Sequence, residues 1–370
     1  MKIGVPKEIK SYEYRVGLTP SSVRELVSHG HEIFVEANAG VEISLSDETY
    51  INSGATILET AEEVFSVSDM IVKVKEPQPE ECKQLREGQI LFTFLHLAPD
   101  PIQTQLLLES NCIAIGYETV TDNKGGLPLL APMSEVAGRM AVQAGAHALE
   151  IHKGGRGVLL GGVPGVPPAD VVVIGGGVVG SNAIRIAIGM EAQVTVIDRS
   201  LHQLRRLDDR YGAALNTIFA TKDAIEIYAR KADLIIGAVL VPGGSAPKLI
   251  SRSLLKEMKS GAVLVDVSID QGGCFETSRP TTHREPTYQV EGIVHYCVAN
   301  MPGGAPRTST FALNNATLPF VIELANKGVD KALSENVHLR NGLNIYKGHV
   351  TYQAVAEALN YPYRDAATIL

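Results

Sequence analysis

Four polar side chains stand where a strand-like apolar run gives way to a loop: Arg15, Lys75, His96 and Asp270. Arg15 lies in 12–20, YEYRVGLTP. A guanidinium there can hold a carboxylate through two parallel hydrogen bonds, although a lone loop arginine is as readily a solvated surface residue. Lys75 closes the run 71–75, IVKVK, ahead of Glu76-Pro77. Alternation puts Lys73 and Lys75 on the same face, so periodicity does not choose between them. Position favours Lys75, because it stands at the carboxyl end of the run beside Glu76-Pro77, which stops the strand, and an ammonium there can polarise a carbonyl. His96 follows the apolar run 90–95, ILFTFL. An imidazole gives and takes a proton near neutral pH, which suits acid–base work, but a single histidine is also commonly structural. Asp270 comes after 262–267, AVLVDV, with Gly272 and Gly273 just beyond it. Either Asp270 or its competitor Asp266 can stabilise a cationic nitrogen or activate water, and an Asx turn is the structural alternative.

A second stretch carries the binding pattern of a further reactant. The run 171–174, VVVI, enters Gly175-x-Gly177-x-x-Gly180, then an apolar helix-like segment, then 194–198, VTVID, ending in Asp198. That is the strand–turn–helix–strand pattern of a dinucleotide site. The first glycine makes the turn, the second admits a pyrophosphate, and the third lets the helix pack on the strand. The helix N-terminus offers N–H groups to phosphate. A carboxylate at Asp198 bonds ribose hydroxyls and repels a 2′-phosphate, favouring NAD over NADP, although Arg199 could pair with such a phosphate.

The elements that must position these groups alternate in character along the chain. Strand signals cover 2–9, 31–36, 70–74, 90–95 and 112–117, and helix signals cover 21–29, 60–66 and 101–109. This rhythm predicts parallel strands joined by crossover helices, with functional residues at the carboxyl ends of the strands. A helix is predicted over 134–152, and the Gly/Pro-rich stretch 154–168 reads as a loop. Further strands are predicted at 232–238, 262–267 and 292–296, and helices at 308–327 and 352–359. The predicted fold is α/β, with two doubly wound parallel-sheet domains. A Rossmann domain spans 129–305, and a discontinuous Rossmann-like domain is formed by 1–128 plus 306–370, with a cleft between them.

Composition narrows the class. A chain of 370 residues exceeds one ordinary core. The net charge of −8, with no basic block, argues against nucleic acid or an anionic membrane as partner. Cys82, Cys112, Cys274 and Cys297 form no C-x-x-C pair and read as reduced buried thiols. The N-terminus has no signal-like apolar region, and the apolar stretch 171–190 is broken by glycines and Arg185, so a cytoplasmic protein is expected. The histidines show no metal-ligand spacing with Cys, Asp or Glu, and no catalytic metal is expected.

Several of these strings in order resemble the alanine dehydrogenase family, which includes the α-subunit of nicotinamide nucleotide transhydrogenase. They are 4–8 (GVPKE), 15–20 (RVGLTP), 72–77 (VKVKEP), 94–98 (FLHLA), 173–180 (VIGGGVVG), 266–273 (DVSIDQGG) and 299–303 (ANMPG). The likeness runs over essentially the whole chain. It implies reversible NAD-dependent oxidative deamination of L-alanine to pyruvate and ammonium. It implies that Arg15 and Lys75 bind the substrate's carboxylate and oxo group, with Asn300 near the substrate. His96 and Asp270 share the acid–base work, the order of their proton transfers left open. The cofactor set it implies comprises Ser134, Gly175, Gly177, Val178, Val179, Gly180, Asp198, Arg199, Gln203, Ala220, Val239, Leu240, Val267, Ile269, Asp270, Arg279, Val298, Asn300 and Met301. Arg279 would reach the adenine side. Gln203 and Ala220 depart from the base and the serine that the family often carries, which bears on peripheral cofactor contacts. The resemblance also implies a homo-hexamer.

Three alternatives stand beside this reading. A transhydrogenase α-subunit would need partner chains and a membrane component. A saccharopine dehydrogenase-like enzyme would accept a longer amino acid. A non-catalytic NAD-binding protein would keep the fold without turnover, but has no use for Arg15, Lys75, His96 and Asp270 together.

Overall fold

The computed structural model describes residues 1–239 and 246–370. In chain order the strands are β1 (Lys2–Val5), β2 (Glu32–Glu36), β3 (Thr56–Leu58), β4 (Met70–Val72), β5 (Ile90–Thr93) and β6 (Ile113–Gly116). Then come β7 (Asp170–Ile174), β8 (Gln193–Asp198), β9 (Leu215–Phe219), β10 (Leu234–Gly237), β11 (Val263–Asp266), β12 (Thr287–Val290) and β13 (Ile293–Tyr296). β14 (Leu343–Tyr346) and β15 (His349–Val350) follow near the C-terminus. The chain divides into two compact units, Met1–Met133 with Ala305–Leu370, and Ser134–Gly304.

Among the described residues of the first unit the sheet order is β15-β14-β6-β5-β4-β1-β2-β3. β1 to β6 run parallel, and β14 pairs antiparallel with β6. Buried strands with helices on both faces account for the continuous apolar runs. Local chemistry sets the helix starts. Thr19 caps Pro20–Ser28 through its side chain, with proline in the first turn. Thr60 and Glu63 form a reciprocal capping box on Ala61–Val67. The strands stop short of the apolar runs that announced them. β1 ends before Pro6 and β4 ends at Val72, because the backbone beyond leaves the ladder to serve side-chain carboxylates.

In the second unit the order is β12-β13-β11-β10-β7-β8-β9, parallel except for β12. One core layer gathers Val171, Val173, Val194, Val196, Leu234, Ile236, Val263 and Val265 against Ala137, Ala141, Ala183 and Ala187. The helix expected over 134–152 runs instead from Ala131 to Ala148. A short 3₁₀ turn, Ile151–Lys153, follows it and ends on left-handed Gly154. Among the described residues, no helix is long and apolar enough to cross a membrane.

Candidate active site

In the second unit the site is built from backbone. Gly175 makes the turn at φ +99, and a Cβ there would lie 2.5 Å from the Ala238 carbonyl oxygen. A Cβ on Gly180 would lie 1.8 Å from the Gly175 carbonyl oxygen, so only glycine lets the helix Val178–Gly189 start this close to β7. Gly177, the N-cap, would meet nothing within 4 Å. Among the described residues no side chain caps that helix, which leaves its first N–H groups for a ligand to meet. These features fit a pyrophosphate, which needs close backbone approach and N–H donors.

Asp198 ends β8 beside this turn. Its Oδ2 accepts the Gly176 N–H at 2.6 Å and its Oδ1 the Ser200 N–H at 2.7 Å. Gln203 donates its side-chain amide to the Gly176 carbonyl and reaches Ser181 Oγ at 3.4 Å. The Ala220 N–H binds the Asp198 carbonyl, while Arg199 is exposed. Ser134 lies on the first half of the helix Ala131–Ala148, which rests on the 178–189 helix at Gly138, where a Cβ would come 2.2 Å from Val179 O.

At the carboxyl ends of β10 and β11, Ser268 Oγ donates to Val239 O at 2.7 Å and accepts the Val239 N–H at 3.1 Å, joining the two loops. Asp266 is fully buried and accepts from Ser268 N, Cys274 N, Phe275 N and Ser278 Oγ. It is committed to holding this loop. Asp270 is exposed on the 3₁₀ turn Ile269–Gln271, so of the two acids it is the accessible one. Val267 is half-buried, and Ile269 and Val298 are buried. Asn300 has φ 54, its carbonyl accepts from a His283 ring nitrogen at 3.2 Å, and Met301 beside it is buried. Leu240 lies outside the described residues.

Arg279 stands apart from Asp198. Its guanidinium sits 4.1 Å over the Tyr288 ring of β12, and its N–H binds the Tyr288 hydroxyl. In the strand order β12-β13-β11-β10-β7-β8, that edge is five strand spacings, about 24 Å, from Asp198. Arg279 thus packs on the edge strand of this sheet.

In the first unit the site is built from paired charges. Loops at the carboxyl ends of the contiguous parallel strands β1, β4, β5 and β6 carry Arg15, Lys75, His96 and Glu118. Arg15 is 2% exposed, not the solvated loop arginine. Glu13 grips it in a fork, Nε to Oε1 and Nη2 to Oε2, both at 2.6 Å, and Nη1 points at Met133 Sδ at 3.0 Å. The loop is braced by the helix Pro306–Lys327: Thr19 N–H donates to Asn314 Oδ1 at 2.8 Å, and Asn314 Nδ2 donates to Gly17 O at 3.0 Å. A Cβ on Gly17 would lie 2.2 Å from Val72 O, so this loop is pressed onto the end of β4.

The two lysines that alternation left equivalent differ sharply. Lys73 is fully buried between Glu8 Oε2 at 3.2 Å and Glu81 Oε1 at 2.6 Å. Burial alone would lower its pKa, but the two carboxylates hold it up to about 12. Glu8 is pushed up from the ordinary carboxylate range by burial, against the pull of Lys73. Lys75 is held by its backbone, N–H to Glu8 Oε1 at 3.3 Å and carbonyl from Thr93 Oγ1 at 2.9 Å. Its ammonium lies 3.2 Å from Glu76. Burial would raise Glu76, but Lys75 and Lys10 bring it down to about 2.

His96 adopts the left-handed conformation at φ 49. Glu118 holds it there, accepting its N–H at 2.7 Å and the Leu95 N–H at 3.2 Å. The same carboxylate oxygen lies 3.9 Å from His96 Nδ1, and the ring stacks parallel to Phe94 at 5.8 Å between centroids. Sequence reasoning missed Glu8, Glu13, Glu81 and Glu118, although Glu13 stands two residues from Arg15 and Glu8 inside the quoted 4–8 string. It also missed that the fold gathers His147 and His152 around Glu150.

A family model described as alanine dehydrogenase/PNT, N-terminal domain, matches residues 4–137, and its C-terminal counterpart matches 141–353. An alanine dehydrogenase of Halomonas elongata is 59% identical over 370 residues, covering all of both chains. One of Mycolicibacterium smegmatis is 52% identical, also over both whole chains. A solved L-alanine dehydrogenase superposes with TM-score 0.95 at 49% identity, covering 97% of this chain and 99% of that one. A transhydrogenase from Sinorhizobium meliloti shares the fold, at TM-score 0.81 and 22% identity, covering 96% of this chain and 100% of its own.

Proposed function

This chain belongs to the alanine dehydrogenase/PNT family, and from that premise we propose that it catalyses the reversible oxidative deamination of L-alanine to pyruvate and ammonium with NAD. It is an oxidoreductase acting on an amino acid. The observation that carries the reading is the row Arg15, Lys75 and His96 at the ends of neighbouring parallel strands, each fixed by a carboxylate-bearing partner. Such a row supplies an anion anchor, a carbonyl-polarising cation and a proton carrier in one place.

A bound nicotinamide dinucleotide supplies the two-electron hydride acceptor. Arg15 binds the substrate carboxylate through its guanidinium. Lys75 directs its ammonium at the substrate oxygen in the pyruvate direction. His96 and Asp270 share the remaining steps: taking a proton from the alanine ammonium, activating water against the iminium carbon, and returning a proton to nitrogen as ammonia leaves. Glu118 lies behind Nδ1, which leaves Nε2 for substrate. Asp198, held by two N–H groups, meets a ribose diol and would repel a 2′-phosphate, which supports NAD over NADP. Asn300 flanks the substrate, and Ser134, Gly175–Gly180, Gln203, Ala220 and Val239 line the dinucleotide. A homo-hexamer in the cytoplasm completes the proposal.

The test is NADH oxidation with pyruvate plus ammonium, run against 2-oxoglutarate plus lysine and against an NADPH control. Activity with the first pair alone is the expected result. Activity with the second pair favours a saccharopine dehydrogenase-like enzyme, and NADH binding without turnover favours a non-catalytic protein. Arg15→Ala and Lys75→Ala should raise the pyruvate KM with NADH affinity kept, whereas His96→Ala and Asp270→Ala should lower kcat. Unchanged pyruvate kinetics in the first pair, or near-normal turnover in the second, would overturn those roles.

A further inference from the structure

We propose that His147, Glu150 and His152 form a surface site for one divalent transition-metal ion. The Glu150 carboxylate lies between the two imidazoles, one oxygen toward each: His147 Nδ1 is 3.3 Å from Oε1 and His152 Nδ1 is 3.3 Å from Oε2. All three ligand atoms lie within 4.8 Å of one another. Ligands about 2.1 Å from a tetrahedral ion are about 3.4 Å apart, so each imidazole nitrogen already stands at ligand spacing from one oxygen of the shared carboxylate. The donor set, two neutral nitrogens and one carboxylate, suits zinc, cobalt, nickel or copper, and not the all-oxygen preference of calcium or magnesium.

The backbone beneath is rigid while the three side chains face water, being 58%, 47% and 60% exposed. Glu150 N–H binds His147 O, Lys153 and Gly155 N–H both bind Glu150 O, and Gly157 N–H binds Leu149 O at 2.8 Å. Ala148 and Leu149 are buried under the turn, and a Cβ on Gly155 would lie 2.3 Å from Ala148 O. The three ligands are thus spaced by a fixed turn joining the last turn of the helix Ala131–Ala148 to the 3₁₀ turn Ile151–Lys153. His147 is thirteen residues along that helix from Ser134, about 20 Å at helical rise, so the ion would be a clasp remote from the dinucleotide turn. Two ion pairs at this exposure would contribute little by themselves, whereas a metal bound only by the folded turn stabilises the fold by mass action.

The experiment uses untagged full-length protein, stripped with EDTA and titrated with CoCl₂ followed by visible absorption, and with ZnCl₂ followed by calorimetry and thermal melting. One ion per chain is expected, with a rise in Tm that MgCl₂ does not produce. His147→Ala and His152→Ala should each weaken binding by at least about tenfold and abolish the rise in Tm. Because the variants leave the dinucleotide and substrate residues intact, their turnover should equal that of the parent. Failure of the parent to bind either ion saturably, or equal binding by the double variant His147→Ala/His152→Ala, would overturn the proposal. Neither result depends on which substrate the enzyme turns over.

Discussion

The two units hold their candidate site groups with different materials. The second unit uses backbone: glycines without side chains, an uncapped helix N-terminus and one acid fixed by two N–H groups. The first unit uses side chains held by carboxylates, buried Arg15 with Glu13, buried Lys73 with Glu8 and Glu81, and exposed His96 with Glu118. A backbone site is selected by what is missing at each position. A side-chain site is selected by what stands opposite, because a buried charge without its partner is costly. The two should therefore break differently.

The largest effect is expected at Gly180→Ala. The new methyl would lie 1.8 Å from a backbone oxygen that cannot step aside, so the turn must open. NADH binding should be lost and stability should fall by about 3 kcal/mol or more, measured by fluorescence titration and thermal unfolding. A variant that binds NADH normally would refute the close-packing argument. Next comes Lys73→Met, which leaves Glu8 and Glu81 buried without their cation. Urea unfolding should show a loss of about 3–5 kcal/mol, and a neutral result would mean that the triad is not a closed electrostatic unit.

Gly177→Ala is the sharpest contrast with Gly180→Ala. Its methyl meets nothing within 4 Å, so the melting temperature should barely move while NADH affinity drops by about tenfold. If stability fell as far as it does in Gly180→Ala, the open face of that glycine would not be a ligand face.

The smallest effect concerns Glu76, whose pKa is brought to about 2 by Lys75 and Lys10 against burial. A folded pKa below the unfolded one stabilises above the unfolded value and is lost as pH falls toward the folded one. The parent should exceed Glu76→Gln by about 2 kcal/mol near neutral pH, discounted for the partly exposed Lys10. That gap should close between the ordinary carboxylate value of 4.5 and about 2. A gap independent of pH would show that the pairing contributes nothing.

The same contrast explains what was legible. The dinucleotide turn is contiguous, and each glycine's role follows from spacing alone. Helix starts at Thr19 and Thr60 were equally local. Arg15, Lys75 and His96 were placed at strand ends by the rule for parallel sheets, but their partners were not. Glu8 meets Lys73 across 65 residues, and Glu118 meets His96 across 22. No local pattern encodes pairs that only neighbouring strands create. The same reason hid Lys73, which alternation could not separate from Lys75 until burial between Glu8 and Glu81 was visible. The strands β3, β9, β12, β14 and β15 also escaped reading. β3 is three residues long, and β14 is defined by an antiparallel partner far upstream.

The pairing of β14 with β6 has a consequence for how the molecule is made. Asn344 donates to Thr119 across 225 residues, and the whole second unit lies between them in the chain. During synthesis the outer edge of β6 therefore waits, with unpaired amides, until nearly the entire polypeptide has emerged. The intervening unit can complete its own sheet during that wait, and its folding shortens the loop that must close before β14 can dock. Destabilising changes in the second unit should thus lengthen the exposure of an apolar edge in the first, and aggregation during synthesis should report damage to a region that carries none of that edge.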